Sequence, residues 1–544
     1  MLDNREKGWW YWRTVAWCFG LLLIILPVCI PIAELLLTRS AWSVWSESSR
    51  MAWLIISTVG IALSSSLLAL GLGSVTAFLL VRTNLVGKSI WGILLGMILF
   101  IPLPMLLSGW YIMMQMCDAT MPALWPVEAR WMGTILLHGL QGLPWVILIL
   151  GIGLLWIEPE LEEEMRLAAP FHRIFHRVIL PRCWPFVGMS VLMVSWITWH
   201  EIAVTDFFRV HTFAEEVYLQ LNSGGKDQSS RAIAATFPWC LVFVTVTLWY
   251  MNWWKRRCPP QWPSLGRLQQ FSLSSRQTAA QLWMLGIISL LIFVPVVGLL
   301  FRMGHQLDGS WSLAHCLSCF SRVFTQQGGV LFQSLLMAGL TGLITGVTVL
   351  ILAWISRGSA RWENLTWWVA ALLWTLPGPI LGIGLLEYIL FLIQVPVGGW
   401  LSPWLYSEPS PVPTMWAAWL RFLPLAWLVI WPMVRTLPRE WDDLARLEGA
   451  TPWQRFRLHE FAVLLKPALV IAFGIALLTL GEISATKMVT TPGYLPLSHL
   501  VFQQLHSGAD AELAALSLTL MMPALFAAFV TGMVILFRYR RQRN

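Results

Sequence analysis

Residues 199–208 read WHEIAVTDFF and residues 480–489 read LGEISATKMV, so the pentapeptide EIAVT at 201–205 returns as EISAT at 482–486. Each copy closes an apolar stretch, with a glutamate where that stretch gives way to polar sequence. Two further echoes keep the same order. VYLQLNSG (217–224) returns as VFQQLHSG (501–508), and RLAAPFHRIF (166–175) returns as RLEGATPWQRF (446–456). Three matches in one order, at offsets of about 280 residues, mark an internal duplication.

The sequence around these echoes sets the fold class. Of 544 residues, 57% are hydrophobic and 12% charged, against roughly 45–50% and 25% in soluble domains. A helix crosses the hydrocarbon layer with about 20 apolar residues, and only helices or closed barrels pair every backbone polar group there. The apolar runs are too long and continuous for barrel strands. Spans are expected near 15–37, 52–81, 90–116, 132–156, 186–206 and 232–254, and again near 280–303, 329–354, 365–393, 413–434, 467–486 and 514–537. The expected fold is all-α: a polytopic membrane protein of about twelve transmembrane helices. Residues 1–254 form a first six-span half, 255–279 a basic linker opening KRRCPPQWPSLGR, and 280–544 a second half. Six is even, so the halves are parallel repeats related by an axis along the membrane normal.

Charge orients the chain. With the N-terminus in the cytoplasm, the segments on that side hold 26 of the 36 Lys and Arg residues, as the positive-inside rule requires. Both termini and the linker are therefore expected on the cytoplasmic side of a bacterial inner membrane. The net charge of +8 follows from this bias and calls for no nucleic acid. The apolar run after MLDNREKGWWYWR exceeds a signal-peptide core and reads as an uncleaved first span. The eight cysteines are scattered; only Cys316 and Cys319, beside His315, are close, and one C-x-x-C pair carries no metal site.

The most polar cytoplasmic loops besides the linker and tail lie between spans four and five and between spans ten and eleven. In REWDDLARLEGATPWQRFRLHEF (439–461), Gly449 suits a left-handed helix stop, Thr451 a cap and Pro452 a first helical turn. Leu444 and Leu447 share one face of the helix before the stop. A short amphipathic helix is thus offered twice to the cytoplasm, and a two-fold symmetric partner suits it.

These loops resemble the EAA loop of ABC importer permeases, whose pattern is E-A-A, three residues, then G. Glu163, Glu164 and Met165 stand at the first three positions and Ala169 at the glycine; Asp443, Leu444, Ala445 and Gly449 stand there in the second copy. Ala169 departs from the glycine, the first copy is one residue short before its Leu-Pro, and the second has Phe461 and Ala462 in place of Leu-Pro. The resemblance covers nearly the whole chain and is to the fused two-half, binding-protein-dependent permeases for ferric iron and thiamine. FIPLPMLLSGW (100–110) and WTLPGPILGIGLL (374–386), with prolines at the head of a span, are similar to that family too. The resemblance implies coupling helices, with Glu163, Glu164, Arg166, Leu167, Ala169, Asp443, Ala445, Arg446, Leu447 and Gly449 meeting an ABC ATPase dimer. It also implies a periplasmic substrate-binding protein, and ferric iron as cargo, ahead of thiamine and then of sulfate, phosphonate or polyamine.

No G-x-x-x-x-G-K-[ST] loop occurs. ATP and Mg are expected on the partner ATPase, with no cofactor, metal or catalytic residue on this transport chain. An ion-coupled secondary carrier would show midplane acidic residues on interrupted helices, and a membrane enzyme a catalytic cluster on its outer loops; neither pattern is read here. Two readings of the repeated glutamates stand. In one, Glu201, Thr205, Asp206, Glu482, Thr486 and Lys487 line an outer substrate path; in the other, each glutamate reaches interfacial water or caps the turn out of its helix. The 36 tryptophans cluster at span ends, as interfacial anchors do. His138, Glu34 and Glu387 are read as satisfied by their neighbours.

Overall fold

The computed structural model describes residues 14–543 apart from 16, 19, 21, 102, 121–129, 169, 223–225, 258–270, 307–308, 358, 397 and 508–509. Among the described residues the chain is helical, with two isolated bridges and no strand. It is a polytopic all-α membrane protein. Eight helices among those residues are long and apolar enough to cross a bilayer: Ser48–Arg82, Arg130–Leu155, His172–His200, Ser230–Trp254, Ser274–Gly304, Leu313–Ser356, Val412–Arg435 and Phe461–Thr479. A ninth span is a bent pair, and three further expected spans fall on the shorter apolar helices Leu26–Leu37, Lys88–Ile98 and Ala511–Ala527.

The bent pair corrects one expectation. Ala360–Thr375 and Gly378–Gln394 meet at 109°, so the prolines of LPGP (376–379) break the ninth span internally. They head only its second piece. The third span repeats the arrangement, with helix ending at Ile98 and resuming at Leu103 around IPLP (101–104). Pro102 itself lies outside the described residues. A proline has no N–H and cannot follow a residue in helical conformation without strain, so two of them one residue apart open the ladder where neighbours can seal it.

Span ends differ from expectation as well. The fifth helix stops at His200 and the eleventh at Thr479. Glu201 and Glu482 therefore sit in the turns that follow, not inside the helices.

Two compact units share the chain, and neither is a continuous stretch. One holds residues 1–51, 216–262 and 332–495; the other holds 52–215, 263–331 and 496–544. Each takes four consecutive spans from one copy of the repeat and the first and last spans of the other copy. In the first unit, Leu26–Leu37 packs on Gly378–Gln394, so closely that a Cβ on Gly384 would stand 2.1 Å from the Pro27 carbonyl oxygen. Lys226–Arg257 packs on Ala360–Thr375 in the same unit. In the second unit, Val294–Gly304 packs on Leu103–Thr120, where a Cβ on Gly109 would lie 2.5 Å from Pro295, and Asp510–Arg543 packs on the same helix.

Tryptophan does more here than anchor an interface. Trp416 donates to the Leu23 carbonyl at 3.0 Å and Trp45 to Ala234 at 3.0 Å in the first unit. Trp110 donates to Leu290 at 3.2 Å and Trp283 to the Thr76 hydroxyl at 3.0 Å in the second. An indole N–H in an apolar interior needs an acceptor, and the bonds of Trp416, Trp110 and Trp283 each join a span of one copy to a span of the other. Of the linker, residues 255–257 and 271–279 are described: Phe271 pairs with the chain after the second span, its N–H donating to Arg82 O at 2.8 Å.

Close helix contact is also made by Gly342 and Gly346. A Cβ on Gly342 would lie 2.2 Å from the Ala472 carbonyl oxygen, whereas one on Gly339 would meet nothing within 4 Å. Small residues four apart allow such backbone approach. Gly342→Leu is expected to destabilise the detergent-solubilised protein by about 1–3 kcal/mol through overpacking, and Gly339→Leu to change little. Thermal unfolding of the two variants checks this; equal melting points would contradict the packing.

Candidate functional site

Two duplicated features carry the sequence-predicted residues: the turns after the fifth and eleventh spans, and the loops before those spans. In the first turn, both carboxylate oxygens of Glu201 accept backbone N–H groups, from Ala203 at 2.6 Å and Val204 at 2.9 Å. In the second, Glu482 accepts those of Ala485 at 2.9 Å and Thr486 at 3.1 Å. Each glutamate thereby satisfies the orphan donors of the short helical turn that follows. Thr205 and Thr486 repeat one another too: both are buried, and their hydroxyls donate to carbonyls one turn back, at 3.3 Å to Ile202 and 3.2 Å to Glu482.

The two turns differ in what covers them. A Cβ on Gly378 would stand 2.5 Å from Ser484, and one on Gly382 would stand 2.5 Å from the Ala485 carbonyl oxygen, so the broken ninth span rests directly on the second turn. At the first turn, Tyr111 of the third span meets Phe207 edge-on, ring centroids 4.6 Å apart. Charge differs as well, because Asp206 stands where the second copy has Lys487. The Lys487 ammonium contacts the hydroxyl of the buried Tyr218 and lies 4.6 Å from its ring centroid.

The loops form the second feature. Helix Arg439–Leu447 ends at Gly449, whose φ of 77° is the left-handed stop expected of it, and the Ala450 N–H returns to Ala445 O at 2.9 Å. Thr451 and Gln454 then cap each other reciprocally: the Thr451 N–H donates to Gln454 Oε1 at 2.8 Å and the Gln454 N–H to Thr451 Oγ1 at 3.3 Å. Trp441, Leu444 and Leu447 are exposed while Ala445 is buried. In the first loop, helix Pro159–Ala168 leaves Glu163 and Glu164 exposed. Leu167 is 92% exposed and Leu447 85%. Ala169 lies outside the described residues, as do the side chains of Arg166 and Arg446.

Sequence reading missed what holds these loops. Arg82, at the end of the second span, pairs with Glu162 of the first loop helix; both are 1% exposed. Its counterpart Arg357, at the end of the eighth span, pairs with Glu460 at 2.8 Å and donates to the Pro438 carbonyl at 3.1 Å. The signal was an arginine closing the same span in each copy, 275 positions apart. Of the isolated polar residues, Glu34 and Glu387 lie beside one another, and His138 is fully buried beside Gln141. Cys316 and Cys319 are unbridged; Arg322 donates to Cys319 Sγ at 3.1 Å, and no group of three metal-ligating side chains occurs among the described residues.

The chain is a many-span helical protein, built twice over, that exposes apolar residues on two loop helices in like sequence frames. Its relatives are transport permeases. Over 95% of its length, and 96% of theirs, the chain is 23% identical to the Fe(3+)-transport system permease protein FbpB 2 of Haemophilus influenzae. Over 80 residues it is 38% identical to a putative 2-aminoethylphosphonate transport system permease protein of Salmonella paratyphi A, covering 14% of this chain and 30% of that one. No protein-family model matches the chain, and no solved structure matches it. The resemblance to fused two-half ABC importer permeases thus rests on nearly the full length as well as on the loop motifs.

Removing one partner of a buried ion pair strands the other charge, at a cost of about 3–5 kcal/mol, whereas replacing both by apolar groups is often neutral. Arg82→Met is accordingly expected to lower the unfolding midpoint sharply, and Arg82→Met with Glu162→Leu to recover most of the loss. A double variant as unstable as the single one would contradict the pairing.

Proposed function

We propose that the chain is the permease subunit of an ATP-driven importer, seated through its two loop helices on a pair of separate ATP-binding subunits. Both termini, the linker and the two loops then face the cytoplasm. The carrying observation is the pair of loop helices in like sequence frames, the first held by the buried Arg82–Glu162 pair, the second flanked by the contacts of Arg357 with Pro438 and Glu460, and each exposing leucine. Isolated exposed leucines are common on soluble surfaces, but the same position exposed in both copies suits a two-fold docking partner. Asp443, Ala445 and Arg446, with Glu163, Glu164 and Arg166, would lie in or beside that contact.

The turns supply the transported motion with a place to act. Glu201, Thr205, Asp206, Glu482, Thr486 and Lys487 would border the outer mouth of the path, closed when the carboxylates hold their backbone donors. Closure of the ATP-binding subunits moves the loop helices, the helices draw on spans five and eleven, and the turns at the far ends of those spans shift. A substrate-binding protein outside the membrane would deliver the cargo. The length-wide relative supports ferric iron, and the shorter, more similar stretch supports a phosphonate as the second reading.

Proline fixes φ near −65° and cannot adopt the left-handed stop at Gly449. Gly449→Pro is expected to abolish ATP-dependent uptake while membrane insertion persists, and Leu447→Asp, a surface change, to reduce ATPase co-purification by at least about tenfold, the loss of one buried leucine contact. Unchanged uptake and unchanged co-purification would overturn the docking role.

A further inference from the structure

Arg421 lies inside the tenth span. Helix Val412–Thr436 begins nine residues before it, which places it about 14 Å along at roughly 1.5 Å per residue, near the middle of a hydrocarbon layer of about 30 Å. The sequence around it, from Met415 to Val434, is otherwise apolar. The side chain is 7% exposed. A guanidinium keeps its charge at any physiological pH, and ionisable residues at membrane depth are rare and mark substrate or ion pathways.

The first copy has a counterpart in the same register. Pro144 and Pro424 both sit inside their helices, and three residues before them stand Gln141 and Arg421. Gln141 lies beside His138, and its Oε1 and both ring nitrogens of His138 are shut off from solvent. Each copy thus sets a polar head at the same level of its fourth span. The second copy makes that head a permanent cation.

We infer that Arg421 is the anion-recognising group of the transport path, and that the cargo crosses as an anion: a free oxyanion such as a phosphonate, or ferric iron held in an anionic chelate. The inference rests on the transport reading above and names its substrate class. The planar fork of donors matches phosphonate and carboxylate oxygens in pairs. The same charge repels a bare ferric ion or a thiamine cation at the point where water is scarcest.

Uptake by the full chain, together with the ATPase and binding protein that co-purify with it, tests this with three probes: labelled 2-aminoethylphosphonate, labelled iron as ferric citrate, and labelled thiamine. The wild type is expected to carry one of the two anionic probes, and which one identifies the source of the negative charge. Arg421→Gln is expected to raise the KM for that probe by at least about tenfold, the loss of charge-assisted hydrogen bonds, and Arg421→Lys by a smaller factor. An unchanged KM in Arg421→Gln overturns the inference. Should Arg421→Gln fail to reach the membrane, Arg421→Lys decides: its compact ammonium lacks the fork, so an unchanged KM overturns the inference as well. A wild type that carries thiamine but neither anion overturns it while leaving the transport reading intact. A wild type that carries none of the three overturns this inference, and the transport reading falls with it only if no ATPase co-purifies with the chain.

Discussion

Within a bilayer there is no water to pair with a free backbone amide, so every departure from helix must bring its own partners. This chain departs from helix within its spans and at their ends, and each departure carries its remedy. At the third and ninth spans the breaks fall at IPLP and LPGP, where proline supplies no N–H to leave unpaired. At the ends of the fifth and eleventh spans the departing amides exist, and the carboxylates of Glu201 and Glu482 accept them at 2.6–3.1 Å. The repeated glutamate is therefore first a structural necessity. Any gating role builds on a cap that the bilayer already demands.

The duplication is then put to asymmetric use. Glycines at 378 and 382 let one broken span sit on the backbone of one turn, while Tyr111 and Phe207 fill the equivalent place with rings. Lys487 answers Asp206, and Arg421 answers Gln141. Arg82 grips the loop helix itself through Glu162, whereas Arg357 grips the chain on either side of its loop, at Pro438 and Glu460. A path for one cargo needs no two-fold symmetry, but a two-fold motor needs matched handles. The leucines exposed at 167 and 447 fit the docking proposed above, and the differences within the spans fit a single path.

Much of this was legible because its physics is local. Helix length against bilayer thickness predicted the eight long spans and the bent ninth, and Gly449, Thr451 and Pro452 predicted a stop, a cap and a restart from their own dihedral and hydrogen-bonding preferences. What escaped was non-local or ambiguous. Arg82 and Glu162 stand 80 residues apart, and nothing in either neighbourhood names the other. The interleaving of first and last spans between units escaped because an apolar face carries no address. The proline pairs were visible, yet a proline that opens a helix and one that breaks a span read alike until the helix before it is known to point elsewhere. Arg421 is plain in the sequence, its apolar flanks on both sides setting it apart from the loop arginines.

The central claim is that two loop helices, one in each copy, face the same aqueous compartment. Single cysteines at Glu163 and at Asp443, both exposed in the structure, can be placed in a chain whose native cysteines are replaced, and labelled with a membrane-impermeant maleimide. Labelling of both sites in inverted vesicles, with neither labelled in intact spheroplasts, is the predicted result. One site reacting from outside and the other from inside would contradict the account.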